Sequence, residues 1–284
     1  MFMSKESIKR RLASLVSRLH NLNPDLQDIR DLLIEHHGDN RRLTHQNPLN
    51  RFGKQCFSQS DEDGITLEII RRMSIQNGTF AELGVGDGLE NNTLILASLG
   101  WHGFWVGNDD LAFGDISSTK FKYLKGWITS SNVANFFDTG LTHLDKKELD
   151  VVSIDLDGND IYIVDNILSS NHRPKLFIVE YNAKFPPPIR FQVKYDIDFT
   201  WTHDDYFGAS LSSFVDQFSQ YGYRLVCCNA QSGSNAFFVR NDFAHLFSDV
   251  PDNVDDIYVE PRYWIRSKFG HPKSAKLVRE ILTD

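Results

Sequence analysis

The chain is poor in cysteine, with only Cys56, Cys227 and Cys228 among 284 residues. Cys227 and Cys228 are adjacent, and neighbours in a strand point to opposite faces, so a disulfide framework is not expected. A reduced, cytoplasmic protein is expected, with all three thiols packed in the core. No apolar run approaches the roughly 20 residues of a membrane helix. The N-terminal sequence MFMSKESIKRRLASLV lacks the apolar stretch of a secretory signal. Basic residues are also in deficit, 30 Lys and Arg against 38 Asp and Glu, for a net charge of −8. That argues against nucleic-acid binding and against docking on anionic lipid, both of which need basic surface. A phosphate-binding Walker loop, a G-x-S-x-G elbow, zinc-type cysteine pairs, an H-E-x-x-H helix, internal repeats and low-complexity tracts are all missing. What remains is an ordinary globular composition, 41% apolar and 24% charged, on a chain long enough to bury a core unaided.

The organisation expected is an N-terminal helical extension over 1–54, an α/β domain over 55–240 and a covering tail over 241–284 with a short helix near 272–282. In the extension, Ile8, Leu12, Leu15, Leu19, Leu22, Leu26, Ile29 and Leu33 alternate spacings of four and three, the period of a packing seam. Asn23-Pro24 predicts a break into two helices. The seam fits either the chain's own domain or a homo-oligomer contact. SQSDEDGITLEIIRRM follows, with Ser60 or Asp61 able to cap a helix whose buried stripe is Ile65, Ile69 and Ile70. From residue 78, GTFAELGV, GFWVGND, FKYLKGWIT, LDVVSIDLD and KLFIVEYN read as five strands with helices between them. Their apolar runs suit a parallel sheet covered on both faces, a doubly wound α/β arrangement. YRLVCCN and NAFFVR then form a hairpin, which the common nicotinamide-binding fold lacks. The long loop 182–207, rich in aromatics and prolines, suits a lid or substrate wall.

Residues 81–92 read AELGVGDGLENN. Gly84, Gly86 and Gly88 follow a strand and precede a helix, where glycine lets the backbone turn sharply and approach a ligand. Asp109 ends the next strand region and can accept both hydroxyls of a ribose. The loop departs from the G-x-G-x-x-G of diphosphate cofactors and carries Glu82 at the strand end. By charge, that carboxylate suits a cationic sulfonium or ammonium better than a diphosphate. Adenosylmethionine, a dinucleotide and a turn without ligand are the three readings.

SIDLDGND delivers Asp155 and Asp157 to the C-terminal end of its strand, where open α/β sheets bind ligands. Alternation puts both on one face, as it does Glu180 and Asn182 in VEYN. These oxygens can hold Mg²⁺, contact a cofactor or substrate, or cap helices and bond loop backbone. An EF-hand is ruled out, since Gly158 stands at the fourth loop position and Asn166 at the twelfth. His203, in FTWTHDDYFGAS, is either a general base or a solvated loop residue.

With these motifs in view, the chain resembles the class I S-adenosylmethionine-dependent methyltransferases. Within them it resembles FkbM-like and uncharacterised methyltransferase-like proteins of glycan and natural-product biosynthesis. SQSDEDGI, AELGVGDGLENNT, GWITSSN, SIDLDGND, VEYN and YRLVCCN…NAFFVR carry the resemblance, over about residues 55–240. It implies a Rossmann-like, seven-stranded, mostly parallel sheet of order 3-2-1-4-5-7-6 with the seventh strand antiparallel. It implies that Glu82, Gly84, Gly86 and Gly88 surround the methionine part of S-adenosylmethionine and that Asp109 holds the ribose. Thr129 or Ser130 would lie near adenine, and Asp155 and Asp157 on the methyl-transfer side. Mg²⁺ bound by Asp157, Glu180 and Asn182 would follow some related O-methyltransferases. The expected activity is O-methylation of a sugar, glycan precursor or other small metabolite, with Asp157 and His203 as catalytic candidates. The alternative is a nonenzymatic binding or scaffold protein that keeps the fold.

Overall fold

The computed structural model describes residues 35–114, 116–263, 271 and 274–283, together with Leu26, Ile29, Leu32 and Leu33. The apolar runs form β1 (Thr79–Leu83), β2 (His102–Gly107), β3 (Phe121–Lys125), β4 (Val151–Ile154) and β5 (Leu176–Glu180), all paired in parallel. β6 (Tyr223–Cys228) and β7 (Asn235–Arg240) make the hairpin, and β7 joins β5 antiparallel. The result is one seven-stranded sheet of order β3-β2-β1-β4-β5-β7-β6. That is the expected α/β class and the expected strand order, including the reversed strand.

Burial explains the strand sequences. Phe80, Ala81 and Leu83 of β1, Val151, Val152 and Ile154 of β4 and Leu176 to Val179 of β5 are wholly buried. Both faces of the sheet are covered, so no polar alternation survives in these strands. The edge strand β3, FKYLK, stays half-exposed along most of its length. The helix α1 (Glu62–Arg72) precedes the sheet, and the helices between the strands are α2 (Leu94–Ser98), α3 (Val133–Leu144), α4 (Asp160–Ser169) and α5 (Leu211–Gln220). α5 buries Leu211, Phe214 and Phe218, and the Phe218 ring stacks on Phe238 of β7 at 4.1 Å. The later α6 (Val254–Ile257) and its neighbours bring Phe247, Val250, Ile257 and Val259 into the same core. α7 (Ala275–Thr283) lies where the sequence predicts a short helix, and its Leu277 packs with Phe185, Val193 and Tyr206.

The segment before the sheet is tied to β6. Asn47 Nδ2 donates to Val226 O at 2.7 Å, and Asn50 Nδ2 donates to Cys228 O at 2.8 Å. Of the seam residues, Leu26, Ile29 and Leu33 are exposed. The remaining seam residues and the predicted break at Pro24 lie outside the described residues. The three carboxylates of SQSDEDGI are buried. Asp63 Oδ2 accepts the N–H groups of Cys56, Phe57 and Ser58, and Glu62 accepts from Ser60, Asn229 and Asn235. Asp61 does stand at the N-cap position of α1, but its side chain makes no capping bond. It accepts instead from Asn229 and from the backbone of Gln231. Burial pushes the Asp61 and Glu62 carboxyls above their ordinary values. This motif is thus a polar anchor between α1 and the hairpin turn. One thiol departs from expectation: Cys227 and Cys228 are buried, but Cys56 is exposed. Its segment is held by backbone bonds to Asp63, which leave the side chain outside. Among the described residues no helix is long and apolar enough to cross a membrane.

Candidate functional site

The strand order reverses between β1 and β4, and the crevice at the C-terminal ends of these strands is where an open α/β sheet takes ligands. The glycine loop lies there. Gly84 has φ +89°, and a Cβ on it would stand 1.7 Å from Asp155 O. Its smallness serves the close passage of two backbones. Gly86 has φ +52° and open space where a Cβ would be, so the loop is open at Gly86. Gly88 is backed by Leu111 and Phe113.

Glu82 is buried and hydrogen-bonded within the chain. Its carboxylate accepts Asn92 N–H and Thr93 N–H, each at 2.9 Å, and Thr93 Oγ1–H at 2.5 Å. Burial raises its pKa, and the Thr93 hydroxyl heads the hydrogen bonds that oppose the rise. The Glu82 carboxylate thus bonds the chain's own Asn92 and Thr93. The residue closes the glycine loop onto the start of α2, because a carboxylate buried beside unpaired helix N–H groups finds its partners there. Those N–H groups are consequently unavailable to a diphosphate.

Asp109 sits two residues beyond β2 with an exposed side chain, and its carbonyl accepts Tyr123 O–H at 2.6 Å. The neighbouring Asp110 pairs with Lys125. Thr129 is buried, its N–H bonded to Asn132 Oδ1 and its hydroxyl to Ser131. Ser130 N–H faces Tyr195 Oη at 3.3 Å.

Asp155, Asp157 and Glu180 come together, with one carboxylate oxygen from each lying within 4.8 Å of the others. Asp155 and Glu180 are half-buried and Asp157 is exposed. Burial first, then the charges of neighbouring carboxylates, hold Asp155 and Glu180 well above the usual carboxylate range. Partial desolvation by its neighbours also raises Asp157, and His203 opposes that rise. Glu180 shares a side-chain hydrogen bond with Asp155, and its buried Oε2 has no other partner. The structural task once open to Asp157 belongs to Asp160, which accepts Leu156 N–H at 2.8 Å and Gly158 N–H at 2.9 Å. Burial lifts Asp160 to about 6.

Asn182, expected beside Asp157 and Glu180 as a metal ligand, is elsewhere engaged. Its Nδ2 donates to Asp205 O and Phe207 O, and its Oδ1 accepts Lys184 N–H. It is fully buried and folds the loop after β5. Asp155 takes the third place in the carboxylate cluster. His203 is exposed, with φ +60°, and is near enough to Asp157 to act on its charge.

The loop 182–207 is a fixed wall. Asn159 Nδ2 donates to Asp196 O at 2.7 Å, Trp127 Nε1 to Ile197 O at 2.7 Å and Tyr162 O–H to Val193 O at 2.9 Å. Phe199 packs where a Cβ on Gly158 would stand, and Lys184 pairs with Asp205. Sequence reasoning missed Asp160, although it lies inside SIDLDGND, and it missed the aromatic residues Trp201, Tyr263 and His271. No local signal marks those three, since they meet only in the folded chain. A separate cavity of about 170 Å³, lined by Lys147, His172 and Arg173 among others, opens at the opposite edge of the sheet.

The charge cluster has a measurable consequence. The folded chain keeps a proton on Glu180 that the unfolded chain releases at lower pH. Stability tied to this group is therefore whole below the ordinary carboxylate pKa and is lost as pH rises toward the raised value. Glu180→Gln is expected to raise Tm at neutral pH, because the amide carries no charge to desolvate. The two proteins should converge below about pH 4, where both states of the wild type are protonated. Parallel stability curves across the whole range would mean that this carboxyl is unperturbed.

No protein-family model matches the sequence. No curated protein matches it either. Among solved structures the chain is similar to the glycopeptide N-methyltransferase MtfA complexed with S-adenosyl-L-homocysteine. Identity is 15%, over 68% of this chain and 95% of that one, with TM-score 0.36. It is also similar to precorrin-6y C5,15-methyltransferase from Geobacter metallireducens GS-15, at 12% identity over 68% of this chain and 96% of that one, TM-score 0.37. A third is human N-acetylserotonin methyltransferase in complex with SAM, at 10% identity over 70% and 66%, TM-score 0.35. At such identities and scores the likeness says nothing about substrate, and the fold rests on the strand order of this chain.

Proposed function

We propose that the chain is an S-adenosylmethionine-dependent methyltransferase that methylates a hydroxyl of a sugar, glycan precursor or other small metabolite. The observation that carries this is the glycine loop at the β1/β4 switch point. It is open at Gly86, while Glu82 occupies the N–H groups that a diphosphate would need. That arrangement disfavours a dinucleotide, and the reversed β7 supports the same reading.

The donor would lie over Gly86, with Asp109 within reach of its ribose and the segment around Ser130 on the adenine side. When bound it supplies a methyl group already activated on a sulfonium. The chain's own residues then have two tasks. The wall 182–207 and the carboxylates hold the acceptor oxygen in line and keep water out. A carboxylate of the Asp155, Asp157 and Glu180 cluster takes the hydroxyl proton. His203 is the other candidate for that proton. Calorimetric titration with S-adenosylmethionine tests the reading, and a folded chain that shows no binding would overturn it. Binding without turnover on any acceptor would instead favour a scaffold that keeps the fold.

The spacing of Asp155, Asp157 and Glu180 favours a second reading of the acidic site. Three hard oxygen donors within 4.8 Å of one another fit a divalent cation such as Mg²⁺, with Asp155 standing where Asn182 was expected. Such a cation would lower the pKa of the acceptor hydroxyl. A metal role requires loss of turnover in excess chelator and weaker metal affinity in Asp157→Asn. Unchanged turnover in chelator leaves the carboxylates and His203 to act alone.

A further inference from the structure

The helix that precedes the domain carries an uncovered apolar face. Leu26, Ile29, Leu32 and Leu33 are helical, as are residues 35–44 after them. The later turns are seated on the β6–β7 turn. Gly38 is buried, and a Cβ on it would stand 3.4 Å from Gln231 Cγ. Arg42 Nη1 donates to Gln231 Oε1 at 3.4 Å and lies 3.8 Å from Asp61 Oδ2, and Arg41 Nη1 donates to Glu260 O at 3.4 Å. The earlier turns are open: Leu26 is 61% exposed, Ile29 53% and Leu33 54%. A lone exposed leucine needs no explanation, but a row of them on one helix is an interaction surface.

The sequence shows the seam to which this face belongs. Ile8, Leu12, Leu15, Leu19, Leu22, Leu26, Ile29 and Leu33 keep alternating steps of four and three without a slip. That is the rhythm of two helices packed along their length, where each seam side chain meets the other helix. Asn23, Pro24 and Asp25 fall between the seam positions Leu22 and Leu26, so the proline does not interrupt the run. The next two seam positions are His36 and Asn40, both exposed. The apolar run therefore ends where the helix is seated, and the sheet domain does not supply its cover.

Charge selects the direction of the partner. In the first half of the seam Lys5, Lys9, Arg10, Arg11 and Arg18 outweigh Glu6, and in the second half Asp25, Asp28, Asp31 and Glu35 outweigh Arg30. Two parallel copies would set like halves together, whereas two antiparallel copies set each basic half on an acidic one. The rival cover is the chain's own residues 5–22 turned back at Pro24. That would match Leu22, Leu19 and Leu15 with Leu26, Ile29 and Leu33, but would run Leu12 and Ile8 onto the polar His36 and Asn40. An antiparallel second copy matches Ile8 with Leu33, Leu12 with Ile29, Leu15 with Leu26 and Leu19 with Leu22, and leaves no aliphatic residue over.

We propose that this seam is a docking surface for a second copy of the chain, the two N-terminal segments pairing antiparallel over residues 8–33. Sedimentation equilibrium of the full chain tests the partner. At micromolar concentration the mass is expected at twice 32.6 kDa. Ile29→Glu, at an exposed position, should weaken association at least about a hundredfold by placing a carboxylate in an apolar contact, with the thermal midpoint of the domain unchanged. Cysteine cross-linking tests the arrangement. Leu12→Cys and Ile29→Cys are made in separate chains on a Cys56→Ser background, since Cys56 is exposed. On mild oxidation the mixture should give a disulfide-linked dimer, while neither chain does so by itself. Like positions of the antiparallel pair lie about 25 Å apart along the axis, beyond the reach of a disulfide. A monomeric mass, or a dimer that survives Ile29→Glu, would overturn the proposal. So would cross-linking of the Ile29→Cys chain to itself, the result of a parallel pair. A monomeric mass with an intrachain disulfide in the Leu19→Cys, Ile29→Cys double variant would assign the cover to the chain's own residues 5–22.

Discussion

Gly84→Ala is expected to cost the chain its fold. The added Cβ would lie 1.7 Å from Asp155 O and 2.7 Å from the carbonyl carbon, both backbone atoms that no rotamer change can move. The two segments are also stitched in place. Gly84 N–H donates to Val106 O at 2.9 Å, and Asp155 N–H donates to Leu83 O at 3.1 Å. Relief would require β1 and β4 to part at the centre of the sheet. The φ of +89° adds strain that a residue with a Cβ does not bear readily. A loss beyond about 4 kcal/mol falls in the range reserved for such clashes. It would remove much of the roughly 5–15 kcal/mol that holds a domain together. Urea unfolding of the purified variant decides this, and a midpoint near that of the wild type would show that the two strands can separate cheaply.

Gly86→Val, two residues on, is expected to leave the fold and abolish donor binding. Nothing lies within 4 Å of the position its Cβ would take, so the protein itself offers no clash. The φ of +52° is left-handed, and a side chain there costs about 1–2 kcal/mol. That is a tolerable loss for a domain of ordinary stability. The open space is the space assigned to S-adenosylmethionine, and an isopropyl group would fill it. Affinity should fall at least about a hundredfold, or roughly 2.8 kcal/mol. Gly86→Asn separates the two effects, because asparagine accepts the left-handed backbone yet still obstructs the ligand. Undiminished affinity in a folded Gly86→Val protein would reject the site.

The contrast between these neighbours shows how far a sequence reading reaches. The motif marked Gly84, Gly86 and Gly88 together as one ligand-binding loop. Only the folded chain separates a glycine needed by Asp155 O from one that faces open space. The same holds for the carboxylates. Their delivery to the ends of β4 and β5 was legible, because alternation along a strand and the polarity of a parallel sheet are local properties. Which of them would be spent on backbone was not legible, since Glu82, Asp160 and Asn182 find N–H and C=O partners whose positions depend on loop closure.

By itself the sequence determined the alternation of strands and helices, the doubly wound class and the terminal hairpin. These follow from apolar runs, helix-period stripes and turn residues acting over a few neighbours. It also determined the edge of the sheet at which a site would form. Tertiary structure alone decided which side chains meet. Trp201, Tyr263 and His271 meet one another from a loop and a tail far along the chain, and Asp61 and Glu62 turn inward to meet Asn229 and Asn235. The physical reason is that a buried polar or aromatic side chain must find its partner wherever the packed chain places one, and sequence distance puts no constraint on that.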